Sequence, residues 1–503
     1  MSISPIQHVF VLMLENRSFD HMLGFSGIQG KDAESGLPTG INGLTGAETN
    51  ESAGRTYSVS RPADFVMPVD PAHEFPDVLE QLCGPGAVYA PGSDYPTIVN
   101  SGFAASYAKS APGDDPGRVL RCFGPDQLPV LNALASEFVV FDNWYASMPG
   151  PTWPNRLFLH AGSSNGLDHS PTTAEVVLWE TLAGFSFTNG TIFDLMNRHN
   201  VRWRIYAGDA FPMVAAVQGI QLTLARPFSE FERDVAAADY GVAYTFIEPS
   251  YNVLNDYRGS TSQHPLDDAA RGEALMRTIY QAIRNSPLWD SSLLVITWDE
   301  HGGFYDHAAP PLAAAPDDGQ PGSDHNQFGF TFGRFGGRVP AVAVSPWIGR
   351  NLVDHRIYDH TSILATLESL FGMPALTARD ASANNLTTLL TLAEPRGDAP
   401  LQLPAPADSG VSEWPFDFAV SAAPGVTAPV PVARPNDSVN EGNTAGILQA
   451  ALRSDLALSP ASARSRVLAR FSAIRTRAQA MRYVAEIREK VAAARRSTNA
   501  AAS

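Results

Sequence analysis

Two cysteines in 503 residues, Cys83 and Cys122, are too few for a disulfide framework and fit no common structural zinc pattern. They are left as two buried thiols or as one bridge if the protein is exported. No stretch of about 18 uninterrupted apolar residues occurs, so no membrane-spanning helix is expected. The first seven residues carry no Lys or Arg, and the apolar run behind them ends in Glu15-Asn16, which does not read as a secretory leader. A soluble protein is expected, cytoplasmic or exported without a recognisable cleaved signal. Basic residues are also scarce, 35 Lys and Arg against 52 Asp and Glu, and a net charge of −17 argues against nucleic acid as partner. No HExxH pair, no G-x-S-x-G elbow and no P-loop is found, which weighs against zinc-protease, serine-esterase and NTPase chemistry.

What is present is ordinary for a folded enzyme: 44% hydrophobic and 17% charged residues, with 40 Gly and 39 Pro for long shaped loops. Apolar runs of strand length recur at 9–14 (VFVLML), 138–141 (FVVF), 202–206 (RWRIY), 244–247 (YTFI), 293–298 (LLVITW) and 341–344 (AVAV). Runs apolar at nearly every position suit strands covered on both faces. Helices are expected between them, at 126–136, 191–200, 267–285 and 361–371. This alternation predicts an α/β fold with a mostly parallel central sheet and helices on both faces. Residues 25–125 read as elaborated loops over that sheet. A catalytic domain is expected over 1–394, a Pro/Ala-rich linker or wrapping arm over 395–459, and a basic amphipathic helix and tail over 460–503. That last stretch holds ten Arg or Lys and two Glu, which leaves −25 for the rest. Over 460–496 it reads as one helix with an apolar seam of Val467, Phe471, Ile474, Ala478 and Met481. Docking on the acidic body or pairing into a homo-oligomer is favoured over lying on an anionic membrane.

Two strand candidates end alike, VFVLML in Glu15-Asn16 and LLVITW in Asp299-Glu300. In open α/β sheets ligands bind beyond the carboxyl ends of strands. If these ends are neighbours, three carboxylates and an amide meet, and a hard divalent ion (Ca²⁺, Mg²⁺ or Mn²⁺) would relieve their repulsion. Ordinary loop carboxylates are the competing reading. Residues 147–156 (SMPGPTWPNR) follow the strand at 138–141, with three prolines fixing a sharp path. Thr152 would sit at a helix N-terminus, where free N–H groups favour an anion, with Arg156 close enough to help hold a phosphate. On these residues alone a turn or capping role for Thr152 is the better reading. His73, His264, His301, His307 and His360 all stand in loop-like context, as surface residues or as donors and acids toward a phosphate.

The blocks HVFVLMLENRSFDHMLG, FDNWYASMPGPTWPNRLFLHAG, TWDEHGGFYDHAAPP and RVPAVAVSPWIG, then YDHTSILATLESLFG, stand in order from residue 8 to about 372. Together they resemble the phosphoesterase family of bacterial phosphatidylcholine-hydrolysing phospholipases C and related acid phosphatases. The resemblance implies an alkaline-phosphatase-like α/β fold and one divalent metal ion held by Glu15, Asn16, Thr152, Asp299 and Glu300. It implies Thr152 as nucleophile, and His73, His264 and His360 as catalytic residues around the phosphate. Some members have asparagine directly after the nucleophile. Trp153 stands there in this chain, so Asn155 or Arg156 is expected to replace that substrate contact.

The expected reaction is hydrolysis of a phosphoric ester through a phosphothreonine, of phospholipase C type on phospholipid or a related phosphodiester. An acid phosphatase acting on small monoesters is the alternative. A non-catalytic binding or effector protein on the same scaffold ranks below both. A sulfatase ranks lower still, because neither cysteine sits in the motif such an enzyme oxidises. Trp144, Tyr145 and Trp153 flank the nucleophile, as packing residues or as an aromatic wall for choline or acyl chains.

Overall fold

The computed structural model describes residues 4–175, 185–220, 224–319, 323–411, 436–439 and 444–502, with side chains to 494. Its centre is a sheet of ten strands. In chain order they are β1 (His8–Leu14), β2 (Gln29–Asp32), β3 (Pro38–Gly40), β4 (Val139–Phe141), β5 (Trp203–Ala207), β6 (Ala225–Pro227), β7 (Tyr244–Glu248), β8 (Ser292–Trp298), β9 (Ala341–Val344) and β10 (Leu352–Asp354). Across the sheet the order is β3-β2-β10-β4-β9-β8-β1-β7-β5-β6. All run parallel except β9, which opposes both neighbours, and the edge strand β3. The six apolar runs all become strands, because β1, β4, β8 and β9 are buried at every position and their side chains have only core to face. The four strands without such a run (β2, β3, β6 and β10) are short pieces at or near the sheet edges. The mostly parallel α/β expectation holds, and the C-terminal extension is helical.

Helices lie at Pro129–Glu137, Ile192–Arg198, Ala269–Arg284 and Thr361–Phe371, within a few residues of the expected spans. Residues 25–125 are more structured than loops. They supply β2 and β3, the hairpin Thr49–Ser52/Arg55–Ser58, and the helices Phe75–Cys83 and Phe103–Ser110. They also build a small apolar cluster in which Val78, Leu82, Phe103 and Leu120 pack with Phe304. Phe304 lies just beyond Glu300, so this layer is fastened to the loop after β8.

Residues 395–403 wrap the helix Ala269–Arg284: Tyr280 donates to the Pro400 carbonyl at 2.6 Å and Arg277 to that of Leu403 at 3.1 Å. Residues 412–435 and 440–443 of the expected linker lie outside the described residues. Beyond them the helix Thr444–Leu458 is largely buried. The stretch 460–496 is not one helix. It breaks at 473–476 into Arg464–Ser472 and a helix beginning at Arg477. Gln479 Oε1 accepts from Arg475 N and Thr476 N and so caps the second helix. Arg470 and Glu486 pair at 2.7 Å, whereas sixteen residues of straight helix would hold them about 24 Å apart. The break also resets the buried seam, which continues through Ala480, Tyr483, Ile487 and Val491 in place of Ala478 and Met481. These helices dock on the chain itself: Arg470 and Lys490 both bond Asp455, which is fully buried on Thr444–Leu458. Among the described residues no helix is long and apolar enough to cross a membrane. Cys83 and Cys122 are both free thiols.

Candidate active site

The site begins with register. β1 and β8 pair in parallel, with Leu14 opposite Trp298, so Glu15-Asn16 and Asp299-Glu300 leave the sheet side by side. The Asp299 N–H donates to the Leu14 carbonyl at 3.2 Å, and the Arg17 N–H to the Glu300 carbonyl at 3.0 Å. Asn16 turns the chain at once, in the left-handed region with φ 58°, which asparagine tolerates better than most residues. Gly302, at φ 64°, lets the loop after Glu300 pass tightly against the Asn16 backbone, where any Cβ would overlap it. Thr152 arrives from β4 through the proline-rich turn as the first residue of the helix Thr152–Ala161. That turn is stapled by Asn155, whose Oδ1 accepts from Met148 N at 3.0 Å and whose Nδ2 donates to the Gly150 and Pro151 carbonyls at 3.0 Å each.

The five residues expected to share a metal are all fully buried, and four of them, Asn16, Thr152, Asp299 and Glu300, are joined by hydrogen bonds. The Asn16 amide donates to Thr152 Oγ1 at 3.2 Å and to Glu300 Oε1, and the Asn16 N–H donates to Asp299 Oδ1 at 2.9 Å. Asn16 Oδ1 is buried with no hydrogen-bond partner among the described residues. Burial pushes Glu15 well above the carboxylate range, a rise that Arg156 opposes and Asp299 adds to. Burial likewise pushes Glu300 up to about 8, with His73 opposing and Asp299 adding. An idle amide oxygen among buried, mutually repelling carboxylates is a donor set that fits a hard cation.

Arg156 and Asn155 have partners other than a free phosphate pocket. Arg156 Nε donates to Asp299 Oδ2 at 2.9 Å, and its terminal nitrogens donate to the Leu14 carbonyl at 3.0 Å and to the Tyr251 hydroxyl at 2.7 Å. Tyr251 in turn donates to Glu248 Oε1 at 2.8 Å. Sequence reasoning passed over Glu248 and Tyr251. The signal was there, because Glu248 ends β7, which flanks β1 on the side away from β8.

The histidines separate by their ring nitrogens. His73 Nδ1 donates to the Pro71 carbonyl at 2.7 Å, which leaves Nε2 turned toward Glu300 Oε1 at 3.9 Å. Burial works against a charged imidazole here, but Glu300 and Asp70 lift it to about 10. His264 Nε2 faces Asp70 Oδ2 at 3.4 Å, and its Nδ1 accepts from Leu266 N at 3.3 Å. His360 Nε2 donates to the Asp299 carbonyl at 2.6 Å while Trp144 Nε1 donates to its Nδ1 at 3.4 Å, so both nitrogens are engaged. Trp144 stacks on Tyr358 and Trp153 on Phe185, with both indoles buried as packing residues. His301 Nε2 bonds Gln81 Oε1 at 2.7 Å, and its Nδ1 lies 3.7 Å from Glu300 Oε2.

A second group was not foreseen. Asp20, Asp306 and His307 bring ligand atoms within 4.8 Å of one another and could hold a metal ion; Glu15, Asp299 and Glu300 as a trio are less close. The buried Arg338 guanidinium already serves that group as its cation, bonding Asp20 Oδ1 at 3.0 Å and Asp306 Oδ1 at 2.8 Å. Its chemistry therefore favours a structural ion network over a metal centre.

A model of the Phosphoesterase family matches residues 6–374. The chain is 37% identical over 437 residues to the non-specific phospholipase C6 of Arabidopsis thaliana, covering 83% of this chain and 78% of that protein. It is 26% identical over 437 residues to phospholipase C B of Mycobacterium tuberculosis, covering 78% and 79%. Among solved structures, a Vibrio parahaemolyticus protein of the alkaline phosphatase superfamily is similar at 19% identity and a TM-score of 0.31, over 52% of this chain and 65% of that one. That last likeness is too distant to add to the topology described above, but the sequence matches span most of the chain and of its relatives. The chain belongs to the Phosphoesterase family and is a phosphoric-ester hydrolase related to the phospholipases C.

Proposed function

We propose that this protein cleaves the phosphodiester of glycerophospholipids on the glycerol side, as a phospholipase C, through a covalent phosphothreonine on Thr152. The observation that carries the reading is the surroundings of Thr152. Its hydroxyl is buried at the start of a ten-residue helix, 3.2 Å from the Asn16 amide and in one hydrogen-bonded group with Asp299 and Glu300. The N–H groups of a first helical turn have no partner within the helix and favour an anion. The phospholipid substrate is taken from the phospholipase C names of the relatives.

Glu15, Asn16, Thr152, Asp299 and Glu300 would hold one divalent cation, which when bound would lower the pKa of the Thr152 hydroxyl and offset charge on the phosphoryl oxygens. Thr152 Oγ attacks phosphorus and gives its proton to a neighbouring carboxylate of the cluster. The bond from phosphorus to the glycerol oxygen breaks, and diacylglycerol leaves with a proton from His73 Nε2, the ring nitrogen facing the cluster. Water then cleaves the phosphothreonine, releasing the headgroup phosphate and the free hydroxyl. Arg156 and His360 hold Asp299 by its carboxylate and its carbonyl, and Asn155 holds the turn that presents Thr152. His264 aligns Asp70, whose charge supports protonated His73. Positioning and charge stabilisation supply most of the rate.

The test uses phosphatidylcholine and a chromogenic phosphomonoester in parallel, followed by acid quench of labelled substrate. Phosphocholine and diacylglycerol are expected from the first, with label on Thr152. Thr152→Ala should lower kcat by at least about 10³-fold while Thr152→Ser keeps part of it. Turnover of the monoester alone would make the protein a phosphatase, and a wild-type rate in Thr152→Ala would move the nucleophile elsewhere.

A further inference from the structure

Between β7 and His264 the backbone takes a path that side chains disfavour. Asn252, Asp256, Tyr257 and Gln263 all lie in the left-handed region, with φ of 49°, 50°, 61° and 66°. None is glycine, and a bulky aromatic such as Tyr257 stays there only when its surroundings hold it. Two contacts do so. The Tyr257 ring lies flat on His264, with ring centroids 3.3 Å apart and planes within 2°. Asp256, the preceding residue, is paired with Arg477, the first residue of the last helix and 221 positions away in sequence. The two side chains are only 10% and 7% exposed, so water screens the pair little. The helices beginning at Thr444 and Arg477 both pack on the turn Val253–Asn255, just ahead of this pair.

We propose that Arg477 is a positioning residue for the hydrolysis: by pairing with Asp256 it keeps Tyr257 flat against His264. The inference rests on the catalytic reading above and adds to it a residue from the C-terminal extension. The stack sets the plane of the imidazole. With that plane fixed, Nε2 points to Asp70 and Nδ1 receives the Leu266 N–H. Without Arg477 this buried ion pair is lost, and the 256–257 turn is held less firmly at these φ values. Tyr257 then leaves the imidazole, and the alignment of His264 with Asp70, and through it with His73, loosens. In the catalytic reading above His264 acts through Asp70 on the general acid His73 and does not hold the phosphate, so the loss is expected in kcat.

The test uses the full chain, with short-chain phosphatidylcholine in solution as substrate, at a temperature well below each variant's Tm. Arg477→Ala should lower kcat about tenfold with KM within about twofold, and Arg477→Lys should recover a large part of the loss. Tyr257→Ala should match Arg477→Ala, and Tyr257→Phe, which keeps the ring, should lose less. The double variant Arg477→Ala/Tyr257→Ala should fall no lower than Tyr257→Ala, since both act through one stack. Wild-type kcat in a folded Arg477→Ala overturns the proposal, as does a double variant whose losses multiply to about a hundredfold. If Arg477→Ala does not fold, the tyrosine pair decides alone: equal activity in Tyr257→Ala and Tyr257→Phe overturns it. Undiminished turnover in Thr152→Ala would defeat the catalytic reading instead, and that result does not depend on residue 477.

Discussion

Asp299 is tied to three other residues through three different oxygens. Its Oδ1 receives the Asn16 N–H, its Oδ2 the Arg156 guanidinium, and its carbonyl the His360 ring. The residue types of the site were legible in the sequence, because the acidic and amide side chains stand directly after apolar strand runs. The partners of Arg156 were not, since nothing local says that Tyr251 and Glu248 wait for it from another strand. Asp299→Ala would strand a buried guanidinium and cost about 3–5 kcal/mol of stability, so its effect on chemistry would be mixed with unfolding. Asp299→Asn also removes the charge facing Arg156, but it keeps the shape and one acceptor oxygen, so it should cost less stability than alanine and is the sharper variant. It should fold as the wild type does by circular dichroism, bind less divalent metal by elemental analysis, and lose at least about 10²-fold in kcat. Full metal content and activity in Asp299→Asn would remove Asp299 from the proposed site.

Among the elements, the helix Thr152–Ala161 and its entry turn show how packing reassigns a residue. Trp153 stands at the position where some family members carry an asparagine. Its ring is covered by the helix Thr444–Leu458 at Gly446, where any Cβ would overlap the indole. Glycine within a helix is ordinarily unfavourable, and here close approach to Trp153 is what requires it. Gly446→Ala should therefore destabilise the protein by about 1–3 kcal/mol, despite alanine's better helix propensity, and the shift is read from chemical denaturation. A stabilised Gly446→Ala would mean that the two elements are not in contact. Long apolar strands and the helix at 361–371 were plain in the sequence, because their burial is periodic or continuous. The strands at 29–32, 38–40, 225–227 and 352–354 were not, because they are short and lack an apolar run. The break at 473–476 was hidden for another reason, since every residue across it is compatible with helix.

At the scale of the whole molecule, the basic C-terminal helices lie on the chain's own body, held by Arg470 and Lys490 on Asp455 and by Arg477 on Asp256. Ending the chain at Leu458 would expose the apolar surface under Val467, Phe471, Tyr483 and Ile487 and leave Asp455 without those cations. Tm should fall by at least about 5 °C in a thermal melt. Unchanged Tm together with lost binding to anionic vesicles would instead make the extension a membrane contact. The sequence by itself determined the fold class, the strands that carry the site and the residue types at their ends, because each of these follows from local burial patterns and from ordered motif blocks. Only the tertiary structure decided that Leu14 faces Trp298, that Arg156 turns to Asp299 in preference to a free pocket, and that Arg477 reaches Asp256. These are pairings between residues 143 to 284 positions apart, and their geometry is set by sheet register and helix docking, to which no local stretch of sequence is sensitive.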